Sequence, residues 1–197
     1  MARKILIAGD SFAADWTVKY KNQGKGWPNL LAEKHDVKNI AQAGCGEYKI
    51  YKQLINENLD DFDCIIVSHT SAYRVHTMYH PIHNNDSLHS NADFIYSDIK
   101  EHSQSNKELN CVVEYYEKYF DTEYAQFVHS LICEKINQLC KDHPCVLHVT
   151  DSGWSDFYQF PDMLVLDYFK PKTNSINHYD QQSNIDIFQK VLEKINL

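Results

Sequence analysis

The most informative stretch of this 197-residue chain is Lys4-Ile5-Leu6-Ile7-Ala8-Gly9-Asp10-Ser11. Its short run of aliphatic residues predicts a strand that is buried on both faces, as in a parallel sheet. The run stops at Gly9-Asp10-Ser11, and the spacing of residues 12–16 predicts a helix that follows at once. Ser11 would then lie where open α/β sheets bind ligands and where backbone N–H groups stabilise anions. Alternatively, Asp10 or Ser11 only caps that helix.

The composition indicates one ordinary domain over residues 1–197, without a secretory signal or an apolar run of the ~20 residues that a membrane span needs. A net charge of −8 without a Lys/Arg block argues against nucleic acid or an anionic membrane as partner. The six cysteines form no CxxC pair, which favours free thiols. We therefore expect a cytoplasmic protein.

Short apolar segments alternate with helical patterns along the chain. Further strands are predicted at 37–41, 62–67, 146–149 and 163–166, and helices at 27–33, 47–58, 111–120, 122–140 and 183–195. This alternation predicts a three-layer α/β/α sandwich with a mostly parallel five-stranded sheet. A polar insertion at about 78–109, poor in aliphatic residues, predicts a long ordered loop or lid without regular structure.

Three polar turns follow strands that would share one edge of this sheet. They are residues 9–11, 39–44 and 68–74. Acyl transfer needs a nucleophilic hydroxyl, a base and N–H donors for the oxyanion. The Ser11 hydroxyl, the His178 imidazole shortly before the last helix and the Gly44 backbone N–H could supply one of each.

In this order and spacing, the sequence resembles the SGNH/GDSL hydrolase family of esterases and lipases over nearly its whole length. Gly9-Asp10-Ser11 matches the block of the family's nucleophile, and Asn39 with Gly44 matches the block whose glycine donates to the oxyanion. Trp27-Pro28 and His178 also fall where family members have a tryptophan-proline helix and the catalytic histidine. The resemblance implies an SGNH- or flavodoxin-like fold and an acyl-Ser11 intermediate, with His178 acting first as base and then as acid.

Two blocks depart from the family pattern. After the third strand, His69-Thr70-Ser71-Ala72 replaces the usual Gly-Thr-Asn-Asp, so the Ser71 hydroxyl would join Ser11 and Gly44 in the oxyanion hole. Three residues before the histidine, Ser175 replaces the usual aspartate. A backbone carbonyl near 174–176, the Ser175 hydroxyl or an aspartate such as Asp151 would then orient His178.

Other polar residues in these turns have two interpretations. Arg74 and Thr70 are candidate substrate-binding residues, because a guanidinium can hold a carboxylate or phosphate bidentately. A structural ion pair is an equally good interpretation of Arg74. His76, His80 and His83 have helical spacing, but Pro81 interrupts such a helix and no carboxylate or cysteine completes a metal set in the sequence. We therefore predict no metal site and no cofactor.

Together these patterns predict hydrolysis or transfer of a small ester-linked acyl group on a polar or carbohydrate-like substrate. The polar, histidine- and tyrosine-rich insertion favours such a substrate over a long lipid. The alternative is a catalytically weak homologue that binds a glycan, an acyl donor or a protein partner without turnover.

Overall fold

The fold is described from a computed structural model, which covers residues 2–19, 24–83, 87–151, 160, 163–166 and 177–195. The strands are β1 (Lys4–Gly9), β2 (Asp36–Asn39), β3 (Cys64–Ser68), β4 (Val146–Asp151) and β5 (Leu164–Leu166). The α-helices are α1 (Trp27–Ala32), α2 (Glu47–Ile55), α3 (Tyr96–His102), α4 (Asn110–Lys118), α5 (Thr122–Cys140) and α6 (Gln181–Ile195). Short 3₁₀ helices lie at Trp16–Val18, Leu59–Asp61 and Lys107–Leu109.

The five strands form one sheet in the order β2-β1-β3-β4-β5, and every neighbouring pair is parallel. The predicted five-stranded parallel sheet is thus confirmed. The strand order reverses at β1, since the chain leaves β1 for β2 on one side and then returns to β3 on the other. Such a reversal opens a crevice at the carboxyl ends of the strands, which is where α/β sheets bind ligands. Ser11 follows β1 directly at this crevice.

Alternate residues of β1 enter two separate hydrophobic cores, because successive side chains of a strand point to opposite faces. Ile5 and Ile7 belong to one core, and Leu6 and Ala8 belong to the other. Helices α1 and α6 contribute to the first core, and α2 and α5 contribute to the second. The sheet is therefore the middle of three layers, which explains why β1 and β3 have continuous apolar runs. None of the described helices has the length and apolar character needed to cross a membrane.

The helix that the sequence predicts directly after Ser11 does not form, so that prediction is wrong. The Asp10 carbonyl accepts hydrogen bonds from the N–H groups of Ala13 and Ala14, which closes a single turn. Asp15 then accepts from Thr17 N and begins a short 3₁₀ helix instead. Aspartate side chains compete in this way with regular helix hydrogen bonding. An anion at Ser11 would thus meet individual N–H groups and no α-helix dipole.

The polar insertion contains regular structure, which corrects the prediction for residues 78–109. It includes α3 and the 3₁₀ helix Lys107–Leu109, and Ile99 and Leu109 are completely buried. Few aliphatic residues are needed to hold the insertion in place, because its backbone also forms hydrogen bonds with the turn after β2. Ala43 N donates to Leu88 O at 2.9 Å, and Asp93 N donates to Gly44 O at 2.9 Å. The insertion therefore packs against the Gly44 turn.

Candidate active site

Ser11 and His178 are 167 residues apart in sequence and in direct contact in the fold. The His178 Nε2 atom lies 2.9 Å from the Ser11 Oγ atom. Ser11 follows β1, and His178 precedes α6, whose apolar face packs in the core beside β1. Ser11 is largely buried, with 7% of its surface exposed. This pair is the nucleophile–base geometry that acyl transfer requires.

The environment of His178 favours its neutral form. Burial lowers the pKa of the imidazole below its ordinary value of 6.5, and the nearby Asp10 carboxylate opposes this shift only in part. The rings of Phe12 and Trp16 flank the imidazole, with centroid distances of 4.7 and 5.9 Å. Asn177 and His178 have φ angles of 41° and 67°, in the left-handed region that non-glycine residues seldom adopt. Such backbone strain concentrates at functional sites.

A hydrogen-bond network holds the His178 loop against the Ser11 loop. The Phe12 carbonyl accepts from Trp27 Nε1 at 2.9 Å and from Asn177 Nδ2 at 3.3 Å. Asn184 Oδ1 in turn accepts from Trp27 N at 2.8 Å and from Asn177 Nδ2 at 3.3 Å. The first turns of α1 and α6 therefore fix the separation of nucleophile and base. This network gives Trp27 a positioning role for the site.

Two backbone N–H groups of interest, those of Ser11 and Gly44, lie in the loops that follow β1 and β2. Asn39 Nδ2 donates to Ala13 O at 2.8 Å and so ties the Ser11 loop to the end of β2. Gly44 has a φ of +82°, and a Cβ atom there would lie 2.7 Å from Ala92 Cβ, so only glycine fits. Within the described part of the chain, neither Ser11 N nor Gly44 N donates a hydrogen bond. Both N–H groups are therefore candidate oxyanion donors.

Asp10 is completely buried beneath the site and binds Thr70 and Arg74. Its Oδ2 atom accepts from Thr70 Oγ1 at 2.7 Å and from an Arg74 terminal nitrogen at 2.7 Å. Arg74 also donates to the Cys45 carbonyl at 2.6 Å. The structure thus places Arg74 in the structural ion pair that the sequence left open. Thr70 likewise has a partner inside the protein.

Ser71 lines a separate cavity. Its Oγ atom accepts a hydrogen bond from Tyr73 N at 3.1 Å, which leaves the hydroxyl hydrogen able to donate. The cavity has a volume of about 470 Å³, and its lining combines aromatic with charged side chains. Arg74 also contributes to the wall, whereas Ser11 and His178 do not. The structure therefore brings Ser11 and His178 together and places Ser71 on the side towards this cavity.

Of the groups that could orient the His178 ring, Asp151 lies within the described part of the chain. Ser175 and residues 174–176 lie outside the described residues. Asp151 ends β4 and is buried. Burial and, secondarily, the Asp151 charge raise the pKa of Tyr179, the residue after His178.

A carboxylate does approach the histidines of the insertion, which the sequence did not predict. His80, His83 and Asp98 offer ligand atoms within 4.8 Å of one another, whereas His76 instead pairs with Asp93 at 3.2 Å. His80 Nδ1 accepts from the backbone N–H groups of Ile82 and His83, both at 3.3 Å. The proton of a neutral His80 ring is therefore on Nε2, the atom that faces Asp98 at 3.7 Å. This tautomer does not suit metal binding at Nε2.

A second polar cluster, which the sequence analysis missed, lies beside the carboxyl end of β3 and the middle of β4. We call it the Glu47 cluster, and its members are Glu47, His69, His129, Cys133 and His148. Each is less than 10% exposed. The spacing of His129 and Cys133, one helical turn apart in the predicted helix 122–140, was the available signal. The other members come from separate elements, and no sequence pattern links them.

Comparison with known proteins adds little to this description. The sequence matches no protein-family model and no curated protein. Among solved structures, the fold has a likeness to phospholipase A1 from Streptomyces albidoflavus NA297, with 11% sequence identity and a TM-score of 0.39. The alignment covers 99% of this chain and 75% of the phospholipase. The assignment of function therefore depends on the site itself.

Proposed function

We propose that the protein is an SGNH-type serine hydrolase or acyltransferase that forms an ester-linked acyl intermediate on Ser11. The observation that carries this proposal is the 2.9 Å contact between Ser11 Oγ and His178 Nε2 at the sheet crevice. The N–H groups of Ser11 and Gly44 donate no hydrogen bond within the described part of the chain. They support the proposal, since an acyl transfer site needs oxyanion donors beside the nucleophile.

The reaction follows from the positions of these groups. Neutral His178 accepts the Ser11 proton as Oγ attacks the ester carbonyl carbon. The N–H groups of Ser11 and Gly44 bind the resulting oxyanion, and the Ser71 hydroxyl is the candidate third donor. When the tetrahedral intermediate collapses, His178 gives the proton to the leaving alkoxide, and the acyl group stays on Ser11. Water or an acceptor hydroxyl then attacks this ester in the reverse sequence, with His178 again acting as base.

The surroundings of the pair support a small acyl group on a polar or carbohydrate-like substrate. Only 7% of the Ser11 surface is exposed, which favours a small acyl group over a bulky one. Trp16 lies between His178 and His89, with ring centroids 5.9 Å from each. His89 belongs to the polar insertion, so the rim combines an indole with polar side chains. Aromatic rings and hydrogen-bonding groups together suit a sugar.

A serine-directed fluorophosphonate tests the proposal. We expect one adduct on the folded protein, mapped by mass spectrometry to the peptide that contains Ser11. Ser11→Ala should abolish labelling, whereas the matched control Ser90→Ala in the exposed part of the insertion should label normally. An adduct on another residue, or none on folded wild-type protein, would contradict the proposal and favour binding without turnover.

A further inference from the structure

The Glu47 cluster brings together side chains whose chemistry suits a metal ion. We propose that Glu47, His69 and Cys133 bind a zinc-like divalent transition metal ion, with His129 beside the remaining coordination position. This proposal is independent of the one for Ser11, because none of these side chains belongs to the Ser11–His178 pair. It departs from the sequence-based expectation of no metal site.

The three ligands come from three elements that meet on one side of the sheet. Glu47 begins α2, His69 follows β3, and Cys133 lies in the middle of α5. Their ligand atoms lie within 4.8 Å of one another, and His129 Nε2 is 4.0 Å from Glu47 Oε2. Zinc binds such atoms at 2.0–2.3 Å, so ligand atoms around one ion lie about 3.5 Å apart. Shifts of about 1 Å therefore convert the cluster into a coordination shell.

The two ring nitrogens of His69 have different neighbours, and this arrangement is compatible with a metal on Nδ1. Its Nδ1 atom faces Glu47 Oε1 at 2.6 Å, and its Nε2 atom lies 2.9 Å from His148 Nδ1. With a metal on Nδ1, the Nε2–H group would donate to His148, and such a second hydrogen bond orients most metal-binding histidines. The Phe160 ring stacks on His148 at 3.9 Å and holds that acceptor in place.

The donor set indicates which metal would bind. A thiolate and an imidazole favour zinc or a similar transition metal, whereas calcium and magnesium take oxygen ligands. Cys133 as thiolate and Glu47 as carboxylate would together balance a divalent cation. This balance matters because both side chains are buried, and buried charges without partners are costly.

The cavity of about 470 Å³ provides a path for the ion. Glu47 and His129 both line its wall, so the open coordination position would face this space. The cluster also touches the turn after β3, since Thr70 N donates to Glu47 Oε2 at 3.2 Å. A bound ion would thus fix the turn that carries Thr70 and Ser71.

Cobalt provides a spectroscopic test, because a cysteine thiolate bound to Co²⁺ gives a charge-transfer absorption band. We would treat the full-length protein with a chelator, remove the chelator and titrate with CoCl₂. We expect a band that saturates at one equivalent and disappears when ZnCl₂ is added. Zinc at about 100 times its dissociation constant should also raise the melting temperature by roughly 5–10 °C.

Cysteine variants assign the band to a residue. Cys133→Ser should remove it, whereas Cys140→Ser, a buried cysteine on the same helix, and Cys111→Ser, an exposed one, should keep it. A folded wild-type protein that gives no band with micromolar Co²⁺ would overturn the proposal without any variant. A band that depends on Cys111, or that persists in Cys133→Ser, would also overturn it.

Discussion

The Ser11–His178 pair and the Glu47 cluster use histidine in two different ways within one sheet. At the end of β1, a histidine contacts a neutral hydroxyl at 2.9 Å, in a loop with left-handed backbone angles. At the end of β3, His69 contacts a carboxylate at 2.6 Å, and both side chains are at least 98% buried. The first arrangement favours a neutral imidazole beside a serine hydroxyl. The second balances charge inside the protein.

The two histidines differ because of the group that each one contacts, a hydroxyl for His178 and a carboxylate for His69. His178 Nε2 contacts the Ser11 hydroxyl, and burial lowers the pKa of this imidazole. Glu47 keeps a lowered pKa in spite of its burial, because His69 and, more weakly, His129 stabilise its charge. Substitution of Ser11 or His178 should therefore abolish activity, whereas substitution of a residue of the Glu47 cluster should lower the free energy of unfolding.

The largest expected effect separates the regions by activity. Ser11→Ala and His178→Ala should each lower the kcat for p-nitrophenyl acetate by about 10⁴-fold or more, since the nucleophile and its base act as a unit. Their free energies of unfolding should stay close to that of the wild type. Steady-state kinetics with urea unfolding measures both quantities. If either variant kept a tenth of the wild-type rate, the pair would not be the catalytic centre.

The next effect concerns stability. Glu47→Gln should lower the free energy of unfolding by about 3 kcal/mol or more in metal-free buffer, because it removes one partner of a buried ion pair. The control Glu57→Gln breaks a half-exposed pair with Lys38 and should cost less than about 1 kcal/mol. Urea titration provides the comparison. Equal losses in the two variants would show that burial of the Glu47 pair has no special importance.

A smaller effect tests whether Ser71 belongs to the active site or only to the cavity. Ser71→Ala should lower kcat by about 10²-fold with little change in KM, if its hydroxyl binds the oxyanion. Ser71→Thr keeps a hydroxyl and should retain most of the rate. An unchanged kcat in Ser71→Ala would mean that the N–H groups of Ser11 and Gly44 suffice.

The last comparison concerns pH dependence, which differs in kind between the two regions. Only neutral His178 can act as base, so its lowered pKa should place the acid limb of kcat/KM below pH 6.5. Burial also lowers the pKa of His148 to about 3. The unfolded chain protonates this residue below about pH 6.5, so its contribution to stability is complete above that pH. The contribution is lost on acidification towards pH 3, by up to about 1.4 kcal/mol per pH unit.

His148→Gln separates these two titrations. It should flatten the fall of the unfolding free energy between pH 6.5 and 4 and leave the acid limb of kcat/KM in place. Urea midpoints and initial rates across this pH range give both curves. A shift of the acid limb in this variant would show that the two regions titrate together.

The parallel sheet and the place of Ser11 at its edge could both be predicted from the amino-acid sequence. Local apolar runs predict buried strands, and their alternation with helical patterns predicts parallel pairing. The position of Ser11 after β1 then follows from chain order alone. The same local logic failed directly after Ser11, where hydrogen bonds to Asp10 and Asp15 replace the predicted helix.

The contacts between buried polar side chains could not be predicted from the sequence and are seen only in the folded protein. Asp10 pairs with Arg74 across 64 residues, His69 with Glu47 across 22 and with His148 across 79. Nothing periodic links such residues, because their contacts depend on how separate strands and helices pack. Hydrophobic periodicity is a property of neighbouring residues and can be read from a short stretch of sequence. A buried polar contact forms only when elements that are distant in sequence pack together and remove its groups from water.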